Sequence, residues 1–121
     1  MAVNLYKERR YSSRVKLRVP LRYQLQGTSE FGNTLTEDVS LGGIGFVNNK
    51  FLVPETSILL EFGMFSRVLK AIGKIVWSSP LPHSDRYRAG IQFQELEPIV
   101  SRGLSDYIDM QTSNPRERNL L

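Results

Sequence analysis

At 121 residues the chain has room for one domain with a real core and none for a second, and its 40% hydrophobic and 23% charged content is ordinary globular usage. The absence of cysteine excludes disulfides and thiolate metal sites and fits a reducing compartment, while no apolar run reaches the roughly 18 residues of a membrane span and no apolar segment follows Met1 to Arg10 as a secretory signal requires. The net charge of +4, from 16 Lys plus Arg against 12 Asp plus Glu, is a mild excess whose distribution matters more than its total.

Much of that charge stands at the start. Between Lys7 and Arg22 lie Lys7, Arg9, Arg10, Arg14, Lys16, Arg18 and Arg22, opposed only by Glu8. Residues 1–14 show no sustained apolar period and read as a flexible basic arm. Their apolar content is too small to offset the backbone entropy of ordering them, about 1–2 kcal/mol per residue. From Val15 the pattern is clean: Val15, Leu17, Val19, Leu21, Tyr23 and Leu25 are apolar, with Lys16, Arg18, Arg22 and Gln24 between them. This period of two predicts one strand over 15–25 with a buried and a wet face, and Pro20 on the wet phase predicts an edge or a bulge.

A loop over 26–32 precedes a second strand from Asn33 to Val39, and a third runs from Ile44 to Val47. Ser57 to Phe62 is a short apolar strand. Arg67 to Trp77 is long for one strand, and Gly73 in its middle predicts a bulge or bend. Ser78 to Asp85 is turn chemistry, after which Tyr87, Ala89, Ile91 and Phe93 alternate with polar residues. Short strands at these intervals predict an antiparallel barrel, which removes exposed edges by closing. Phe46, Phe62, Trp77 and Phe93 fall in apolar phases and are expected in its core.

After Phe93 the period lengthens. Pro98 suits a first helical turn, with Glu95 and Glu97 near the positive end of the dipole, and Val100, Leu104, Tyr107, Ile108 and Gln111 follow at helical spacing. A mainly β domain is therefore expected over 15–111: a small antiparallel β-barrel with a C-terminal α-helix, a basic N-terminal arm over 1–14 and a mobile tail over 112–121.

The chemistry centres on Asp38-Val39-Ser40-Leu41-Gly42-Gly43. In extended backbone, residues two apart share a face, so Asp38 and Ser40 stand side by side. Gly42 and Gly43 let the chain turn sharply or let a ligand come close. Taken alone, this also describes a hairpin whose Asp and Ser hydrogen-bond their own turn. Upstream, Arg10 and Arg14 frame Tyr-Ser-Ser with Arg9 directly ahead. A guanidinium fork binds phosphate or the O6/N7 edge of guanine with two bonds and stacks on bases. A carboxylate such as Asp38 accepts from guanine N1–H and the exocyclic amine. Arm and turn together suit a guanine nucleotide with phosphates, and the residues alone carry the case no further.

In this order and spacing, Arg10-Tyr-Ser-Ser-Arg14 as R-x-x-x-R and Asp38-Val-Ser40-Leu-Gly-Gly43 as D-x-S-x-x-G resemble the signature of PilZ domains. The resemblance covers most of the chain, including Gly73-Lys-Ile-Val-Trp77 and Gly90-Ile-Gln-Phe93. It implies a six-stranded β-barrel serving as a bacterial receptor for cyclic di-GMP. Arg10 and Arg14 would then grip phosphate and guanine, and Asp38, Ser40 and Gly43 would contact the other base. With Arg9 and Gly42 beside them, the expected ligand-binding set is Arg9, Arg10, Arg14, Asp38, Ser40, Gly42 and Gly43. Arg9 adds a third guanidinium, which predicts two stacked cyclic di-GMP molecules per chain. A cytoplasmic protein with no cofactor or metal, no membrane insertion, and no DNA or RNA partner is expected, the basic residues being gathered in one arm rather than along a groove. Its arm would order over the ligand and present a new surface to an unidentified downstream protein.

Enzyme activity is not expected. His83 stands alone between Pro82 and Ser84 in a turn, no G-x-S-x-G elbow supports a triad with Ser40 and Asp38, and Gly42, Gly43 and Gly45 lack the Gly-Lys-Ser/Thr of a P-loop. The scattered acids show no metal spacing. Two other binding classes remain as readings: a small basic barrel for single-stranded nucleic acid, with Tyr6 and Tyr11 as stacking candidates, and a ligand-free protein-interaction module.

Overall fold

The computed structural model of the protein describes residues 13–64 and 66–112. Alternation places side chains as expected: Leu21 and Tyr23 point inward, 2% and 3% exposed, while Pro20, Arg22 and Gln24 face out. The strands are β1 (Val15–Lys16), β2 (Pro20–Leu25), β3 (Phe31–Val39), β4 (Gly43–Asn48), β5 (Ser57–Met64), β6 (Arg67–Pro80) and β7 (Tyr87–Leu96). One helix, α1 (Pro98–Thr112), follows. The order β3-β2-β5-β6-β7-β4, with β4 pairing back onto β3, closes six antiparallel strands into a barrel. β1 is a short extra strand on β3, next to the end of β2.

The strand expected over 15–25 is split in two. Between the pairs Lys16↔Asp38 and Pro20↔Leu35, three residues (Leu17 to Val19) stand opposite two (Thr36 and Glu37). Pro20 has no N–H for the ladder and restricts Val19 before it, so the extra residue is accommodated there as a bulge. Thr36 fills the gap. Its hydroxyl accepts from the Val19 N–H at 2.9 Å and donates to the Leu17 carbonyl, and its side chain is 1% exposed. Elsewhere the strands run somewhat past their predicted ends, because hairpins keep pairing until the turn itself. β6 and β7 pair out to Pro80↔Tyr87, and the Leu81 N–H then donates to the Arg86 carbonyl at 2.9 Å. His83, exposed at φ 57°, sits in that turn.

Val39, Ile44, Phe46, Ile58 and Ile75, each fully buried, fill the barrel. Val100, Leu104 and Ile108 recur every fourth residue on α1 and join the same core, whereas Gln111 faces solvent. Pro98 opens the helix, and the Glu97 carbonyl accepts from Val100 and Ser101. The Tyr107 hydroxyl donates to the Lys16 carbonyl at 2.9 Å, which ties α1 to β1. Among the described residues no helix is long and apolar enough to cross a membrane.

Thr36→Val keeps the shape but leaves the Val19 N–H and the Leu17 carbonyl without their partner. Urea unfolding should show a loss of about 1–3 kcal/mol. An unchanged midpoint would mean that water or a backbone shift replaces the hydroxyl.

Candidate ligand-binding site

The outer face over β3, β4, β7 and β6 is shaped by two further irregularities. On β3, Thr36 pairs with Phe46 and Asp38 with Gly45, so Glu37 is an extra residue. Thr36 is buried, and strict alternation would bury Asp38 as well; the bulge turns the carboxylate outward. On β6, Ile75 pairs with Ile91 and Trp77 with Gly90, so Val76 is extra. Ile75 is fully buried, yet Trp77 is 43% exposed. The expectation that Trp77 belongs to the core is therefore wrong, because the bulge reverses its phase. Phe46, Phe62 and Phe93 do lie in the core.

These bulges align one cross-strand row: Asp38 opposite Gly45, Gly45 opposite Gly90, Gly90 opposite Trp77. A Cβ on Gly45 would stand 2.6 Å from Asp38 Oδ1, and one on Gly90 would stand 2.3 Å from the indole Nε1. Neither side chain could lie where it does over any residue but glycine. The carboxylate thus lies over Gly45 and the indole over Gly90, and the two side chains with the glycines beneath them form one floor, acidic at one end and aromatic at the other. It underlies a cleft of about 520 Å³, within the common range for small-molecule sites of about 300–1,000 Å³.

Arg14 lies at the acidic end. Its Nε and Nη2 both donate to Asp38 Oδ1, at 3.2 and 2.7 Å, and its Nη1 donates to Ser40 Oγ at 3.3 Å. Asp38 Oδ2 has no hydrogen-bond partner among the described residues. Asp38 and Ser40 are thus brought together as predicted, with Arg14 as their bridge. Ser40 also holds its own turn: its hydroxyl accepts from the Gly42 and Gly43 N–H groups, each at 3.1 Å. Gly43 is required by packing, since a Cβ there would stand 2.0 Å from the Ile91 carbonyl oxygen. Gly42 ties the turn to β7 through its carbonyl, which accepts from Phe93 N–H at 2.8 Å. Arg9 and Arg10 lie outside the described residues.

A second ion pair borders the cleft. Arg88 on β7 donates from Nε and Nη2 to the two carboxylate oxygens of Glu37, at 2.7 and 3.2 Å. The Arg88 guanidinium is held above its ordinary pKa, first by the hydrogen bonds to Glu37, then by that residue's charge, with a lesser contribution from the charge on Asp38. Glu37, Arg88, Gly45, Gly90 and Trp77 are the site residues that sequence reading missed. The available signal was Gly45 and Gly90 inside strands, where glycine marks a close approach. Among the described residues no group of His, Cys, Asp or Glu could hold a metal ion. The site instead offers an acceptor edge, an aromatic face and paired guanidinium groups, which suits a planar base joined to an anion.

The sequence model of the PilZ domain family matches residues 8–109. No curated protein sequence is significantly similar to the chain. Among solved structures, the inhibitor of motility MotI (DgrA) of Bacillus subtilis superposes with a TM-score of 0.69 at 18% identity over 88% of this chain. The chain spans 50% of that protein's length. The PilZ domain of YcgR from Escherichia coli, solved with c-di-GMP, gives 0.65 at 17% identity, covering 88% of this chain and 94% of that one. The PilZ domain of CeSA from a cellulose-synthesizing bacterium gives 0.60 at 15% identity, with 80% and 95% covered. At these identities the likenesses show the shared fold.

The floor is testable through Trp77, the only tryptophan in the chain. In Gly90→Ala the new methyl occupies the place of the indole, which must swing into water. The emission maximum should move to the red while the barrel stays folded by far-UV circular dichroism. An unshifted maximum would show that the indole does not rest on Gly90.

Proposed function

Because the chain belongs to the PilZ domain family, we propose that it is a receptor for cyclic di-GMP and that the ligand lies on the floor between Asp38 and Trp77. The observation that carries this reading is the Asp38–Gly45–Gly90–Trp77 row. A guanine laid on this row offers N1–H and its amino group to Asp38 Oδ2 and its face to the indole. Arg14 supplies charge for a phosphate. Its pair with Asp38 is exposed, 44% and 39% at the two side chains, and such pairs are worth about 0–1 kcal/mol, so ligand groups can share or replace it at small cost.

Arg9 and Arg10 extend this reading beyond the described residues. They supply further guanidinium groups, and Arg9 favours two stacked ligands, whose phosphates carry about four negative charges that need compensation. Residues 1–14 then close over the ligand and give a downstream protein a new surface to bind, in a bacterial, cytoplasmic, non-enzymatic signalling role. The exposed indole also invites single-stranded nucleic acid. Against that, Arg14 and Arg88, the cations lining the cleft among the described residues, are two separate guanidinium groups and form no continuous track for a phosphate backbone.

Calorimetry separates these readings. Cyclic di-GMP should bind, with GMP, cyclic AMP and a short oligonucleotide far weaker. Arg14→Ala should weaken binding about ten- to a hundred-fold, the worth of charge-assisted hydrogen bonds of about 1.5–3 kcal/mol. Asp38→Ala should erode guanine selectivity more than affinity for phosphate, and Arg9→Leu should shift the ratio from two ligands towards one. Unchanged affinity in Arg14→Ala contradicts the assignment.

A further inference from the structure

Arg88 is two residues from Gly90 on β7 and so shares its outward face. Its strand partner on β4 is Val47, two residues from Gly45, and its fork is fixed by Glu37 on β3. The side chain therefore runs across β4 along the border of the floor. Nε and Nη2 are engaged by Glu37, while the Nη1 side of the fork has no hydrogen-bond partner among the described residues. Arg88 and Glu37 both line the cleft. The bulge that turns Asp38 outward also makes this possible, since it puts two successive acids, Glu37 and Asp38, on the outside of one strand.

Resting on the cyclic di-GMP reading, we propose that Arg88 is a further specificity-determining residue, donating to the O6/N7 edge of a guanine on the floor, and that Glu37 is its positioning residue. Asp38 reads the N1–H side of a guanine. Arg88, set into the border of the floor by a two-point hold, meets the acceptor side, the pairing that a guanidinium makes best with this base. Glu37 works against simple charge logic here. It adds a negative charge beside a site for an anion, and its contribution is to hold the fork in one orientation.

The test is calorimetry of the unaltered protein, Arg88→Met and Glu37→Gln with cyclic di-GMP and with its 7-deaza-guanine analogue, which lacks the N7 acceptor. Both side chains are partly exposed, 50% for Arg88 and 34% for Glu37, so the variants should unfold at nearly the same temperature as the parent. Arg88→Met should bind cyclic di-GMP about ten-fold more weakly, the worth of one charge-assisted hydrogen bond. The analogue should show a similar loss with the parent protein and no added loss with Arg88→Met. Glu37→Gln should also weaken binding, although it removes a negative charge. Equal penalties for the analogue in parent and Arg88→Met overturn the base-edge contact, and unchanged affinity in Arg88→Met overturns the role altogether. Unchanged or tighter binding in Glu37→Gln overturns the positioning role. If the parent does not bind cyclic di-GMP, the function reading fails and this inference with it; if the parent binds and Arg88→Met matches it, this inference alone fails.

Discussion

Two extra residues, Glu37 in β3 and Val76 in β6, decide what the outer face of this barrel can do. A regular strand gives every second side chain to the core, and by that rule Asp38 would follow Thr36 inward and Trp77 would follow Ile75. Each bulge reverses the phase once. The carboxylate and the indole then emerge on the same surface, separated by two strands whose facing residues, Gly45 and Gly90, have no side chain to stand between them. Bulges, glycines and functional side chains form one device: restoring any single regular feature would bury a charge, expel the indole or fill the floor.

The closed barrel makes that device affordable. With β4 paired back onto β3 the six barrel strands close on one another, and a continuous core from Val39 to Ile108 fixes the strands that line the cleft. The acidic end is also linked to α1. Lys16 pairs with Asp38 across β1 and β3, its carbonyl receives the Tyr107 hydroxyl, and Arg14, next to β1, reaches Asp38 and Ser40. Arg14 thus stands beside the two-residue strand against which the helix rests. The ion pairs bordering the cleft are exposed and weak, and the core lies beneath them, so the fold does not rest on them.

Much of this was legible in the sequence. The period of two gave the strands, the change of period gave α1, and the motif residues Arg14, Asp38 and Ser40 do meet. Gly43 was found for a partly different reason, because the Ile91 carbonyl leaves no room for a Cβ beside it. What escaped was phase. The bulges at Glu37 and Val76 each add one ordinary residue and leave no compositional mark, so the alternation alone puts Trp77 in the core. Pro20 and Gly73, where the registers with β3 and β7 do shift, are the exceptions, because proline and glycine advertise such sites. Arg88 escaped because its place at the cleft is fixed by Glu37, a residue 51 positions away.

The central claim is that the ligand lies on the floor between Asp38 and Trp77, and the lone tryptophan reports on that place directly. Titration of the protein with cyclic di-GMP, followed by tryptophan emission alongside calorimetry, should show saturable quenching as a guanine covers the indole. The quenching midpoint should match the calorimetric one. Heat of binding without any change in Trp77 emission would place the ligand elsewhere on the barrel and contradict the account.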